Sequence, residues 1–172
     1  MQKYTKSFAA IHWIHALLIA MVLLGGIANL PDLPKTGEEL APYKMHMIMG
    51  FLVFVVLIIR VVMLRKQPKL KPLEVGKSKE KLIDLNHKLL YVFIALTAIS
   101  GMATAKSANI GQVLIFGKEP SLYTGPGGIT ATLAQVHATS AYILLALIAM
   151  HIGGVIYYAV TKDRGVIKRV WF

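Results

Sequence analysis

Cysteine is absent from all 172 residues of the chain. Its absence excludes disulfides, iron–sulfur clusters, thiolate zinc sites and the Cys-x-x-Cys-His attachment of c-type haem. A cofactor here has to be held by His, Met, Tyr or carboxylate groups. Carboxylates are themselves scarce, with eight Asp and Glu against 19 Lys and Arg. Charged residues make up 16% of the chain and hydrophobic ones 56%, a balance that departs from soluble domains toward a membrane protein. No internal repeat or low-complexity tract is evident.

What the chain does have is apolar length. Runs at about 8–30, 44–64, 82–105 and 131–160 are each long enough to cross a bilayer. The first follows Lys3 and Lys6 as a signal peptide would. It is nevertheless too long for an h-region, carries His12 and His15, and lacks a small-residue cleavage site, so it reads as a retained span. Pro31, Pro34, Gly37 and Pro42 break the chain after it, and Pro68 and Pro72 punctuate a basic linker over 65–81. Ser107 to Phe116 is apolar enough for a short helix at the membrane interface, and Gly125-Pro126-Gly127-Gly128 forms an irregular turn. The expectation is one all-α domain over 1–172, an integral-membrane four-helix bundle.

Four spans place both termini on one side. Of the 19 Lys and Arg, all but Lys35, Lys44, Lys106 and Lys118 fall on that side, counting the linker, Arg60, Lys88 and the tail Lys162 to Arg169. The positive-inside rule therefore puts both termini in the cytoplasm. It also accounts for the charge of +11 without nucleic acid. Trp13, Tyr157, Tyr158 and Trp171 read as interfacial anchors.

Six histidines lie in or beside these spans. His137 and His151 are fourteen residues apart on the last one. That spacing is about 40° short of four turns, so both rings leave one helix face about 21 Å apart along the axis. Ionisable residues at membrane depth mark functional sites by default. With this topology His46 and His137 share the outer level, and His151 shares the inner level with His12, His15 and His87. Zinc would want four ligands, and a proton or cation pump would want intramembrane carboxylates, for which only Asp84 at a helix end is a candidate. Haem needs two axial nitrogens, an apolar slot and cations for its propionates. Gly25, Gly26, Gly50, Gly101, Gly153 and Gly154 offer close approach for a flat macrocycle, or simply close helix packing. Axial ligation by two histidines leaves no open iron position, which favours electron transfer over oxygen binding.

Several marks in order now stand out: Tyr4-Thr5-Lys6, His12-Trp13, His46 with Gly50 and Arg60, His87 with Tyr91 and Gly101, His137-x13-His151, and Lys162-Asp163 with Arg169. Together they resemble the bacterial cytochrome b561 family of di-haem membrane cytochromes, over almost the whole chain. The resemblance implies two non-covalent b haems, an outer one ligated by His46 and His137 and an inner one by His12 and His151. His12 is preferred to His15 because the family ligand belongs to the His-Trp pair. The resemblance further implies oxidation of superoxide on the periplasmic side and reduction of ubiquinone, or another membrane quinone, on the inner side. The alternative is a subunit that conducts electrons for a periplasmic dehydrogenase or cytochrome partner.

The remaining candidates follow from that layout. Lys106 and Lys118, offset in their loop only by Glu119, would steer an anionic radical. Arg60, fourteen residues after His46, is expected to meet a propionate or quinone, and His87 with Asp84 and Asn86 to meet the quinone head group. His15 is expected at interfacial water or on a propionate.

Overall fold

A computed structural model of the chain describes residues 3–30, 32–68, 76–161 and 167. Lys69, Lys71 and Pro72 of the basic linker, the tail residues Lys162, Asp163, Arg164, Lys168 and Arg169, and Trp171 lie outside the described residues.

Four long helices carry the fold: α1 (Lys6–Asn29), α2 (Tyr43–Leu64), α3 (Lys77–Ser107) and, after the five-residue α4 (Ile110–Leu114), α5 (Ile129–Thr161). Among the described residues there is no strand. Each long helix has the length and apolarity to cross a membrane. Ile14, Leu17, Met21 and Leu24 cover the outside of α1, while Phe8, His15, Ile19 and Leu23 are buried on its inside. A helix apolar on both faces, with its polar group turned inward, is the pattern of a protein solvated by lipid.

The helices run up and down, α1 packing on α2, α2 on α3 and α3 on α5. Two stapling contacts fix the end where α1 begins. Thr5 caps α1 through Oγ1, which accepts from the Phe8 amide, and its own N–H donates to Gln67 Oε1 at 3.0 Å. Lys79 Nζ stands 5.3 Å from the Tyr157 ring and ties the start of α3 to the end of α5. Hydropathy begins the third span at 82, whereas α3 begins at Lys77. The extra turn holds Lys77, Lys79, Glu80 and Lys81, which favour helix but not hydrocarbon.

The middle of the bundle is apolar. Ile19, Val53, Leu57, Ile94 and Leu144, drawn from all four long helices, form one buried cluster. Leu144 lies midway between His137 and His151 in sequence. The two histidine levels are thus separated by packed hydrocarbon.

A cap closes the loop end. Leu40, Ala108, Ile110 and Tyr123 form a second buried cluster. Tyr123 Oη donates to the Pro34 carbonyl at 2.8 Å, and Tyr43 Oη donates to the Asp32 carbonyl. The expected interfacial helix over 107–116 is shorter and differently placed. Ser107 still belongs to α3, Asn109 turns the chain in the left-handed region (φ 59°), and Ile110 enters the cap. Asn tolerates that conformation, and here its Nδ2 donates to the Leu122 carbonyl at 3.1 Å.

Gly37 lies so close to Pro120 that a Cβ would collide with the Pro120 carbonyl. Gly37→Ala should therefore loosen the cap at a cost of about 1–3 kcal/mol. Limited proteolysis should then cut the 108–124 segment first, and the melting temperature should fall; an unchanged melting temperature and cleavage pattern would show that the two loops are not locked together.

Candidate haem site

A neutral imidazole has one N–H donor and one lone pair, so a buried histidine poses two separate demands. The loop-end pair meets them in a way suited to a metal. His137 Nδ1–H donates to the Thr97 carbonyl of α3 at 2.8 Å, which leaves Nε2 with its lone pair. His46 of α2 faces it, with ring centroids 6.0 Å apart and planes at 89°. Imidazole nitrogens sit about 2 Å from a bound metal ion, so two rings meeting one ion have centroids about 6 Å apart.

The surroundings are built around these rings. A Cβ on Gly26 would stand 2.7 Å from His46 Cε1, and one on Gly101 would stand 2.8 Å from His137 Cε1. Both glycines thus make room for the histidine rings, whereas Gly25, Gly50, Gly153 and Gly154 meet nothing within 4 Å. A cavity of about 230 Å³ opens here, lined by His46, His137, Gly26, Gly50, Gly101 and Phe51 among mostly apolar neighbours. The residues present fit a b haem held by two histidines.

The other level is more crowded. His151 of α5 meets His87 of α3, with centroids 5.0 Å apart and planes at 78°. His87 Nδ1–H donates to the Ile83 carbonyl at 2.8 Å, again leaving Nε2 its lone pair. His12, expected opposite His151, accepts from Arg60 Nη2 on Nδ1 at 2.7 Å. That hydrogen bond places the His12 proton on Nε2. His15 does not reach water. It is fully buried, and its Nε2–H donates to the Val53 carbonyl at 3.1 Å while Nδ1 has no partner.

Arg60 is enclosed at this level. Its guanidinium lies 5.9 Å from the Phe8 ring and 5.4 Å from the Tyr91 ring. Its Nε is buried without a partner, and among the described residues no carboxylate pairs with it. The expected group of Asp84, Asn86 and His87 is split, because successive helix positions turn by about 100°. Asn86 Nδ2 donates to the Leu147 carbonyl of α5 at 3.3 Å, while Asp84 pairs with Lys88 at 2.7 Å on an exposed face. Lys106 and Lys118 are both exposed, one in the last turn of α3 and the other just after α4.

Two residues that histidine spacing passes over, Thr97 and Ser140, complete the loop-end site. Thr97 Oγ1 donates to Ser140 Oγ at 3.0 Å, and Ser140 Oγ donates to the His137 carbonyl at 2.9 Å. The sequence signal was Gly101 four residues after Thr97, which bares the Thr97 carbonyl to a ring from α5.

Four membrane-length helices with facing histidine rings define a membrane-embedded haem b electron-transfer protein. A family model for prokaryotic cytochrome b561 matches residues 3–172, and the chain belongs to that family. No curated protein and no solved structure matches it.

Gly26→Ala or Gly101→Ala should push its histidine ring out of line and lower the bound haem, read from the reduced-minus-oxidised spectrum. Gly25→Ala is the matched control and should bind normally. Full haem content in the first two variants would show that the rings move aside freely.

Proposed function

We propose that the chain binds two b haems and carries electrons from superoxide, on the outer side of a bacterial inner membrane, to a membrane quinone on the inner side. The observation that carries this reading is the pair of histidine levels separated by an apolar core. Packed hydrocarbon stops ions and water, while an electron needs no open path. Bound at these levels, b haem supplies reversible one-electron chemistry.

The stoichiometry is balanced by two turnovers. Two superoxide anions each lose one electron and become dioxygen, and one quinone takes those two electrons with two protons to become the quinol. Lys106 and Lys118 attract the anion at the outer face, with a salt-dependent rate. Both termini lie in the cytoplasm in this orientation. His46 and His137 hold the outer haem, and His12 and His151 the inner one. Ligation through His12 Nε2 requires its proton on Nδ1, so Arg60 must pass to another acceptor, and a propionate carboxylate suits its planar fork. His87, beside His151, takes a proton from the inner side on Nε2 and passes it to the quinone oxygen that gains charge, while its Nδ1–H stays on the Ile83 carbonyl.

Alanine at His46 or His137 should remove one haem, and alanine at His12 or His151 the other. Loss of the inner haem in His87→Ala, with retention in His12→Ala, would move that ligand from α1 to α3. Arg60→Leu should lower the inner haem's potential and leave the outer spectrum intact.

The reaction itself is tested by stopped-flow reduction of the purified chain under a superoxide pulse, with and without superoxide dismutase. The haems should reduce only without the dismutase, and charge reversal at Lys106 and Lys118 should slow the step. Haems that stay oxidised would leave the chain as a conducting subunit for a periplasmic redox partner.

A further inference from the structure

The Thr97 carbonyl that anchors His137 has another donor. Ser100, 5% exposed, points its hydroxyl back along α3, Oγ lying 2.7 Å from the Leu96 carbonyl and 3.0 Å from the Thr97 carbonyl. Its single hydrogen is shared between the two. The Thr97 oxygen therefore accepts from Ser100 as well as from His137 Nδ1–H at 2.8 Å.

The acceptor on Nδ1 tunes a metal-bound imidazole. A stronger acceptor draws the proton further, makes the ring a more basic ligand and favours the oxidised metal. A second donor on the same oxygen weakens its acceptance from His137. We infer that Ser100 is a positioning residue for the outer site: through the Thr97 carbonyl it holds down the basicity of His137 and keeps that haem easier to reduce. This rests on the haem reading of His46 and His137. Ser100 touches neither the haem nor the donor, yet it sets how weak a one-electron reductant the outer site accepts. The hydrogen-bonded loop through Thr97, Ser140 and the His137 backbone keeps the ring from turning away when that balance changes.

The test is potentiometric titration and low-spin EPR of the haem-loaded full chain. Ser100→Ala should shift the midpoint potential of the His137 haem downward and move its EPR signal, with haem content and the other haem's potential unchanged. Ser100→Thr, which restores the hydroxyl, should return the potential toward the parent value, and Ser100→Cys, a weaker donor, should fall between. Unchanged potential and EPR signal in Ser100→Ala and Ser100→Cys would overturn the inference, as would equal shifts of both haems. A parent chain that binds no b haem, or keeps all of it in His137→Ala, would instead refute the haem reading.

Discussion

An imidazole N–H at membrane depth has no water to turn to and needs an acceptor in the bundle, even where, as in His15, the second nitrogen stays without a partner. That constraint organises the interior. The Thr97, Ile83 and Val53 carbonyls each take one N–H, from His137, His87 and His15. These carbonyls belong to helices, and one carbonyl oxygen can be shared among several donors. The helices can thus orient the rings without breaking.

The same constraint separates the two ends. At the loop end, His137 is fixed on α3 and faces His46 across a cavity notched by two glycines. At the other end four histidines and an arginine crowd together, with Arg60 already on His12. Between them lies the buried apolar cluster from Ile19 to Leu144. Electron transfer gains from a dry medium with little reorganisation, which such an apolar layer supplies.

Much of this is legible in the sequence because a bilayer imposes simple rules. Hydropathy gives α2 to within a residue, as its polar ends fall at the membrane surface. It misses the first turn of α3, whose charged residues lie beyond the hydrocarbon. Depth along the helices brings His46 to the level of His137, but it cannot resolve four inner histidines that differ in azimuth. The Arg60–His12 contact depends on how α1 and α2 rotate against each other, and no period in the chain records that rotation. Thr97 escapes notice for another reason: its contribution is a backbone oxygen, which every residue has.

Arg60 shows how scarcity of acids becomes useful. A buried guanidinium beside a carboxylate would present little net charge to its surroundings. Here its neighbours are an imidazole and two aromatic rings, which stabilise the cation without cancelling it. A positive charge in a low-dielectric bundle favours added negative charge nearby, and the favour weakens with distance. Arg60 therefore sets one histidine level apart from the other by charge, and a propionate bound there would take up much of that charge.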